Sequence, residues 1–374
     1  MPHPLFDRHK LAIKPLAERE NRSNIVTDHI PVTQAPATGS PGFQQTLAKT
    51  VEAIRNARQR GKSVVLAFGA HTIKNGMAPT LIQLMEEGWV THLATNGAGI
   101  IHDWEFAFLG ESSEHVAKNV ALGQFGIWEE TGRFINLAIA VGAYEGKGYG
   151  EAVGSMIANE GLQIPSVDEL RSRPVGETEQ ELDTAAAGLD LLSLVNRFDL
   201  PAGWMSIPFP YKQYSVQAAA FRLGVPFTGH PMIGHDIIYN HPMNHGAAIG
   251  RTAMRDFLSY ADSINNLDHG VYLSVGSAVM SPMIFEKSLS MAQNIQLQKN
   301  QRIDNHYIVV VDLAKSNWDW KTQGEPPQDD PAYYLRFCKT FSRMGGTMDY
   351  LSADNRDFLL ALNQALTTRE VTAR

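Results

Sequence analysis

The strongest pattern in the chain is an unbroken apolar run, Val64 to Phe68, followed by a segment of a different period. Apolar residues in succession, with no alternation, read as a strand buried on both faces. Gly69 breaks the run, and from about Pro79 the positions Leu81, Ile82, Leu84 and Met85 follow helical spacing up to Gly88. A second apolar stretch, Val90 to Ala94, predicts another strand that runs out into Thr95-Asn96-Gly97-Ala98-Gly99. Strand, helix, strand is one βαβ unit of a parallel sheet. The small-residue loops at the carboxyl ends of both strands lie where open α/β sheets bind ligands.

The same alternation continues. Leu47, Val51 and Ile54 predict a helix over 43–60 that Gly61 closes. Residues 214–223 read as a helix and Val225 to Thr228 as a short strand. Residues 252–264 are amphipathic and precede a buried strand, Val271 to Val275, which ends in Gly276-Ser277-Ala278. Tyr307 to Asp312 is a further β-branched run, and Asp330-Pro331 opens a last helix with Tyr334, Phe337, Cys338 and Phe341 on its apolar face. The expected fold is therefore α/β, a doubly wound Rossmann-like parallel sheet with helices on both faces. Residues 1–42 read as an extended arm, or as disordered chain, and 43–374 as a single domain. The glycine-rich stretch 119–150 reads as a loop, and about 158–205 as a solvated helical insertion.

Composition narrows the class. The chain has 374 residues, 44% of them apolar, and a net charge of −7. An acidic balance argues against a nucleic-acid surface. No apolar run reaches the ~18–20 residues of a membrane span, and the start of the chain carries no apolar signal core. A cytoplasmic location is expected. The only cysteine, Cys338, excludes an intrachain disulfide and a cysteine-rich metal site.

Several residue groups are candidates for chemistry. Asn96-Gly97-Ala98-Gly99 could bring backbone amides close to a phosphate, or could simply be a tight turn. Asp103 could cap a helix or touch a ligand. His230, His235, His241 and His245, with Asp236, crowd one segment in a spacing that matches no zinc motif; it reads as a ligand-facing loop or as a metal site. Arg336, Lys339 and Arg343 form a basic stripe, which is either a solvated face or the setting of a nucleophilic lysine. Nearby cations and partial burial would lower its pKa and free the amine to form an imine.

In order along residues 43–364, these motifs resemble those of the deoxyhypusine synthase family. GAHTIKNG (69–76) and LATNGAGIIHD (93–103) are similar to its two glycine-loop motifs. VPFTGHPMIGHDII (225–238) and GVYLSVGSAV (270–279) are similar to its later ones. Arg336-Phe337-Cys338-Lys339 stands at its lysine motif and YLSADN (350–355) at its final acidic motif.

The resemblance implies an NAD-dependent transferase that moves an aminobutyl or related alkylamine group through a lysine imine. It implies Lys339 as the imine former. It implies cofactor contacts from His71, Thr72, Ile73, Lys74, Thr95, Asn96, Gly97, Ala98, Gly99, Gly276, Ser277 and Asp354. Substrate contacts would come from His102, Asp103, His235, Asp236 and Phe337. It further implies a small amine substrate, an acceptor amine or protein lysine, and a homotetramer. Ile101 and His102 stand where the family carries paired glutamates, and Met280-Ser281-Pro282 where it carries a pocket histidine. A polycation needs carboxylates to replace its water, so a substrate altered from spermidine is expected. The alternatives are a non-catalytic nucleotide- or partner-binding protein, and a metal-dependent enzyme built on 230–245.

Overall fold

Each long apolar run is a strand in a computed structural model of the chain, which describes residues 3–172, 175–320 and 322–368. Residues 173–174 of the expected insertion, 1–2 of the expected arm and 321 and 369–374 of the expected domain lie outside the described residues.

The strands are β1 (Val64–Phe68), β2 (His92–Asn96), β3 (Phe227–His230), β4 (Val271–Val275), β5 (Tyr307–Asp312) and β6 (Thr347–Ser352). They form one parallel sheet in the order β6-β5-β4-β1-β2-β3. Numbered along the chain, that is the doubly wound Rossmann order, with its switch point between β1 and β4. Every residue of β1 and β4 is buried. Val65, Ala67, Tyr272, Ile308 and Val310 share a core cluster with Tyr260, Phe285, Leu289, Phe337, Cys338 and Phe341. Val64, Leu66 and Phe68 point the other way and are equally buried. The helices Phe43–Gln59 and Asn355–Thr367 pack together through Phe43 and Phe358, ring centroids 6.3 Å apart.

Where the sequence predicts a single domain, the chain packs as two compact units. The sheet unit comprises Asp28–Gly99, Arg222–His230 and Phe257–Arg374. The helical unit comprises Met1–Thr27, Ile100–Phe221 and Pro231–Asp256. A parallel crossover needs only about a dozen residues. The excursion between β2 and β3 is far longer and builds its own core, in which Trp104 stacks on Phe108 at 4.8 Å and meets Phe209 edge-on at 6.0 Å.

That core corrects three expectations. The glycine-rich stretch 119–150 is not a loop: it holds the whole of the buried helix Glu129–Glu145 and the start of Tyr149–Asn159. Its small residues serve close packing, since a Cβ at Gly142 would collide with that of Ala152. The expected solvated insertion contains the helix Glu179–Phe198, opened by a Thr178–Glu181 capping box and anchored by buried Leu191 and Leu194. The expected extended arm is folded. Asn21–Asn24 pairs antiparallel with Glu111–Glu114, and Leu16 and Ile25 are buried. No helix among the described residues is long and apolar enough to cross a membrane.

Across β2 and β3 runs a buried polar chain. His92 Nε2 lies 2.9 Å from Thr228 Oγ1, which lies 2.9 Å from His230 Nε2. His92 Nδ1 lies 2.8 Å from Ser263 Oγ. Burial pushes both histidines down to about 3, with His230 adding to the effect on His92.

Two outcomes are expected. Gly69→Ala should cost ~1–3 kcal/mol in urea unfolding, because the new Cβ meets the Gly276 carbonyl, backbone that cannot rotate aside. Stability should also fall with pH. The unfolded histidines take protons near pH 6.5 and the folded ones only near about 3. Each therefore removes ~1.4 kcal/mol per pH unit between those limits. A urea midpoint unchanged from pH 7.5 to pH 4.5 would contradict it.

Candidate functional site

The carboxyl edge of the sheet is built from close backbone approaches. Gly69 follows β1 and Gly276 follows β4, on the two sides of the switch point. Gly69 N donates to Val275 O at 3.2 Å, and Gly276 N to Val311 O at 2.9 Å. A Cβ at Gly69 would strike Gly276 O; one at Gly276, whose φ is +58°, would strike Asn355 Nδ2. Only glycine fits either position. Two polar atoms in this region are buried without a hydrogen-bond partner, Asn355 Oδ1 and Thr72 Oγ1. Buried oxygens left this way call for a ligand or water donor.

Two expected loops here are corrected. Thr95–Gly99 is the end of β2 and the first turn of the helix Gly97–Leu109, with no loop between. Asn96 Oδ1 caps it by accepting from Gly99 N at 3.0 Å, and Thr95 Oγ1 donates to Phe68 O at 3.0 Å. Gly99 is glycine because a Cβ would strike the Thr95 side chain. The helix still turns its first amides, at Gly97 and Ala98, toward the carboxyl edge. His71, Thr72, Ile73 and Lys74 likewise form a short helix, Ala70–Lys74, with His71 exposed and Thr72 and Ile73 buried.

Ser277 and Asp354 have structural work. Ser277 Oγ accepts from Ser281 N at 3.2 Å, and Asp354 Oδ1 caps the final helix through Arg356 N at 2.8 Å. Asn355, which the sequence reading passed over, is the neighbour that faces Gly276. Its signal was only its place after β6.

Lys339 departs from expectation. Its helix is Arg336–Phe341, and its side chain is 16% exposed. Nζ lies 2.6 Å from Glu325 Oε1 and 3.6 Å from the centroid of the Tyr333 ring. The hydrogen bond it donates to Glu325, then that with Tyr333, raises its pKa above the ordinary lysine value, the reverse of the lowering expected from its cationic neighbours. Arg343 turns to the same glutamate at 3.7 Å instead of crowding the amine. Phe337 packs in the core beside Tyr350, centroids 6.2 Å apart.

In the helical unit, Asp103 is buried and holds the start of the helix Val216–Leu223. It accepts from Val216 N at 2.8 Å, Ser215 Oγ at 2.6 Å and Gln217 Nε2 at 2.9 Å. Burial raises its pKa, and those bonds oppose the rise. His102 lies 2.7 Å from Ser112 Oγ, which donates to Glu105 Oε2 at 2.6 Å. Arg19 clamps Glu105 bidentately at 2.6 and 2.8 Å. Burial alone would raise the Glu105 pKa, but Arg19 holds it below the usual value.

The histidine-rich segment does not converge. His230 belongs to the sheet unit's buried chain, while His235 is exposed. His241 lies 3.2 Å from Glu129, and His245 3.9 Å from Asp190. Among the described residues no group of His, Cys, Asp and Glu is placed to hold a metal ion. Asp236 stands apart. Its Oδ2 is buried without a hydrogen-bond partner, and burial, opposed by His235, pushes its pKa up to about 6.

No family model matches the chain, and no curated protein matches it. Solved structures do. The apo structure of ArgZ, an arginine dihydrolase from the ornithine-ammonia cycle in cyanobacteria, is 14% identical; the match covers 87% of this chain and 33% of that one, at a TM-score of 0.40. AgrE, solved in a ternary complex with ornithine and NAD+, is 15% identical over 86% of this chain and 33% of that one, TM-score 0.42. A conserved putative LOR/SDH protein from Methanococcus maripaludis is 11% identical over 89% of this chain and 70% of that one, TM-score 0.41. The chain spans about a third of the length of ArgZ and AgrE. Likenesses of this size leave the function to be argued from the chain's own residues.

Glu325→Gln should bring the Lys339 pKa down toward 10.5, since its largest raising contact is the Glu325 carboxylate. Reductive methylation followed by NMR titration of the labelled amine reads this directly; an unmoved titration would mean the pair is not formed in solution.

Proposed function

We propose that the chain is an NAD-dependent enzyme acting on an amine, a divergent relative of deoxyhypusine synthase. The observation that carries this reading is the sheet order with glycine at both tips of the switch point. Dinucleotides lie across that crevice in sheets of this order. Gly69 and Gly276 would let a cofactor approach the backbone, and the first amides of the helix Gly97–Leu109 would meet its phosphates. Asn355 Oδ1 and Thr72 Oγ1 would accept from its hydroxyls or amide. NAD, when bound, supplies a hydride acceptor.

Transfer through Lys339 is the finer part of the proposal. It requires Lys339 to leave Glu325 and lose its proton before its amine can form the imine. The acceptor would be an amine or a protein lysine, and the assembly a tetramer. Pairing of Lys339 with Glu325 favours a second reading, a nucleotide-binding protein without transfer chemistry.

Calorimetry with NAD should show saturable binding, weakened about tenfold or more by Asn355→Leu if buried hydrogen bonds are lost. Absence of binding removes the cofactor from the proposal. Borohydride trapping with NAD and an amine donor should label Lys339; NAD binding with no labelled lysine leaves the second reading.

A further inference from the structure

We propose that His230, Thr228, His92 and Ser263 form a proton path through the sheet unit, with His230 as its acid–base end at the carboxyl edge and Ser263 as its outlet to water. For its use the path rests on the amine reading above: an ammonium that gives a hydride to NAD becomes an iminium and frees one proton, the one that enters here. The path itself is tested without NAD or an amine.

Three contacts join the four side chains. His230 Nε2 lies 2.9 Å from Thr228 Oγ1, Thr228 Oγ1 lies 2.9 Å from His92 Nε2, and His92 Nδ1 lies 2.8 Å from Ser263 Oγ. The register of β2 and β3 explains the line. Ala94 pairs with Thr228 and Asn96 with His230, so His92, Thr228 and His230 point to one face of the sheet. Ala94 stands opposite Thr228 with only a methyl group, which leaves the diagonal from His92 to Thr228 open. The line therefore runs from the end of β3 back to the start of β2.

Every member of this line can both donate and accept, as a hydroxyl and a neutral imidazole each carry a proton and a lone pair. A carboxylate such as Glu105 can only accept. Burial keeps both rings neutral near pH 7, so a proton passes through them without resting there. A proton arriving at His230 Nδ1 releases the one on Nε2 to Thr228 Oγ1. The threonine hydroxyl passes its own proton to His92 Nε2, His92 Nδ1 passes one to Ser263 Oγ, and Ser263 passes one to water. At each group one bond to hydrogen forms and one breaks. No charge stays behind, both rings end as the other tautomer, and a proton travelling the opposite way restores the start.

The ends are open and the middle is closed. His230 keeps 8% of its surface exposed, and its Nδ1 has no hydrogen-bond partner among the described residues. It stands beside Asn96, where β2 meets the helix start at Gly97. Ser263 is half-buried on the helix Gly246–Asn265. Between them His92 is fully buried and Thr228 is buried. The Tyr260 ring meets both imidazoles edge to face, at 5.6 and 5.3 Å, and sends its hydroxyl away to Tyr272 Oη at 2.8 Å. It covers the line without joining it.

The test is exchange of the His92 ring proton with water, read by NMR of the full-length 15N-labelled chain. Ser263→Val closes the outlet to hydroxyl and water alike, and exchange should persist within about threefold through Thr228 and His230. Adding Thr228→Val should slow it about tenfold or more, and Thr228→Ser in its place should not. Thermal melts establish that each variant is folded. A purely structural chain predicts the opposite sign, because lost hydrogen bonds make the core open more often. Exchange in the double variant as fast as in the unaltered chain, or full loss on Ser263→Val alone, would overturn the path. The unaltered chain gives a second reading from its 15N ring shifts: protons on Nε2 of both histidines would make both donate to Thr228, break the line and overturn it too. Calorimetry with NAD separates the two ideas. Conduction without NAD binding removes only the cofactor reading, and NAD binding without conduction removes only the path.

Discussion

Two backbones meet without room for a side chain where β1 and β4 end, and the order of the whole sheet turns on that contact. A parallel strand must be covered on both faces, so the chain winds first to one side of β1 and then to the other. The return brings Gly276 against Gly69 and Asn355 against Gly276. A Cβ at Gly69 would press on the Gly276 backbone, and one at Gly276, held at a φ of +58°, on the Asn355 side chain. Glycine on both sides of the switch point is what meets that constraint.

The sheet was legible because parallel strands leave long apolar runs that tolerate no substitution by charge. Val64–Phe68, Val271–Val275 and Tyr307–Asp312 are strands over the residues their composition marks. The second strand lies two positions later than its apolar content suggests, at His92–Asn96, since a buried histidine satisfied by Thr228 and Ser263 reads as polar in sequence. Glycine was the ambiguous letter. It marks turns, but at Gly99, Gly142 and Gly154 it marks helices packed too closely for a side chain. Spacing alone does not tell these uses apart.

The candidate site was legible in part. Gly276 and Asp236 stand where an edge contact and an unpaired carboxylate occur, yet Asp103, Ser277 and Asp354 turned out to hold helix starts. A capping aspartate and a ligand-binding one look alike in sequence, because both follow a strand or precede a helix. Lys339 was misjudged electrically: the basic stripe drew attention, but Glu325, fourteen positions earlier in a segment without periodicity, decides its charge.

Cys338 is the chain's only thiol, fully buried among Tyr272, Phe285, Phe337 and Phe341 and pushed well above the ordinary thiol range by its surroundings. Reagent cannot reach it while that core is closed. The protein thus carries a built-in clock: the speed at which Ellman-type chemistry consumes one sulfur per chain counts openings of the sheet unit, with no label added and no second site to confuse the reading.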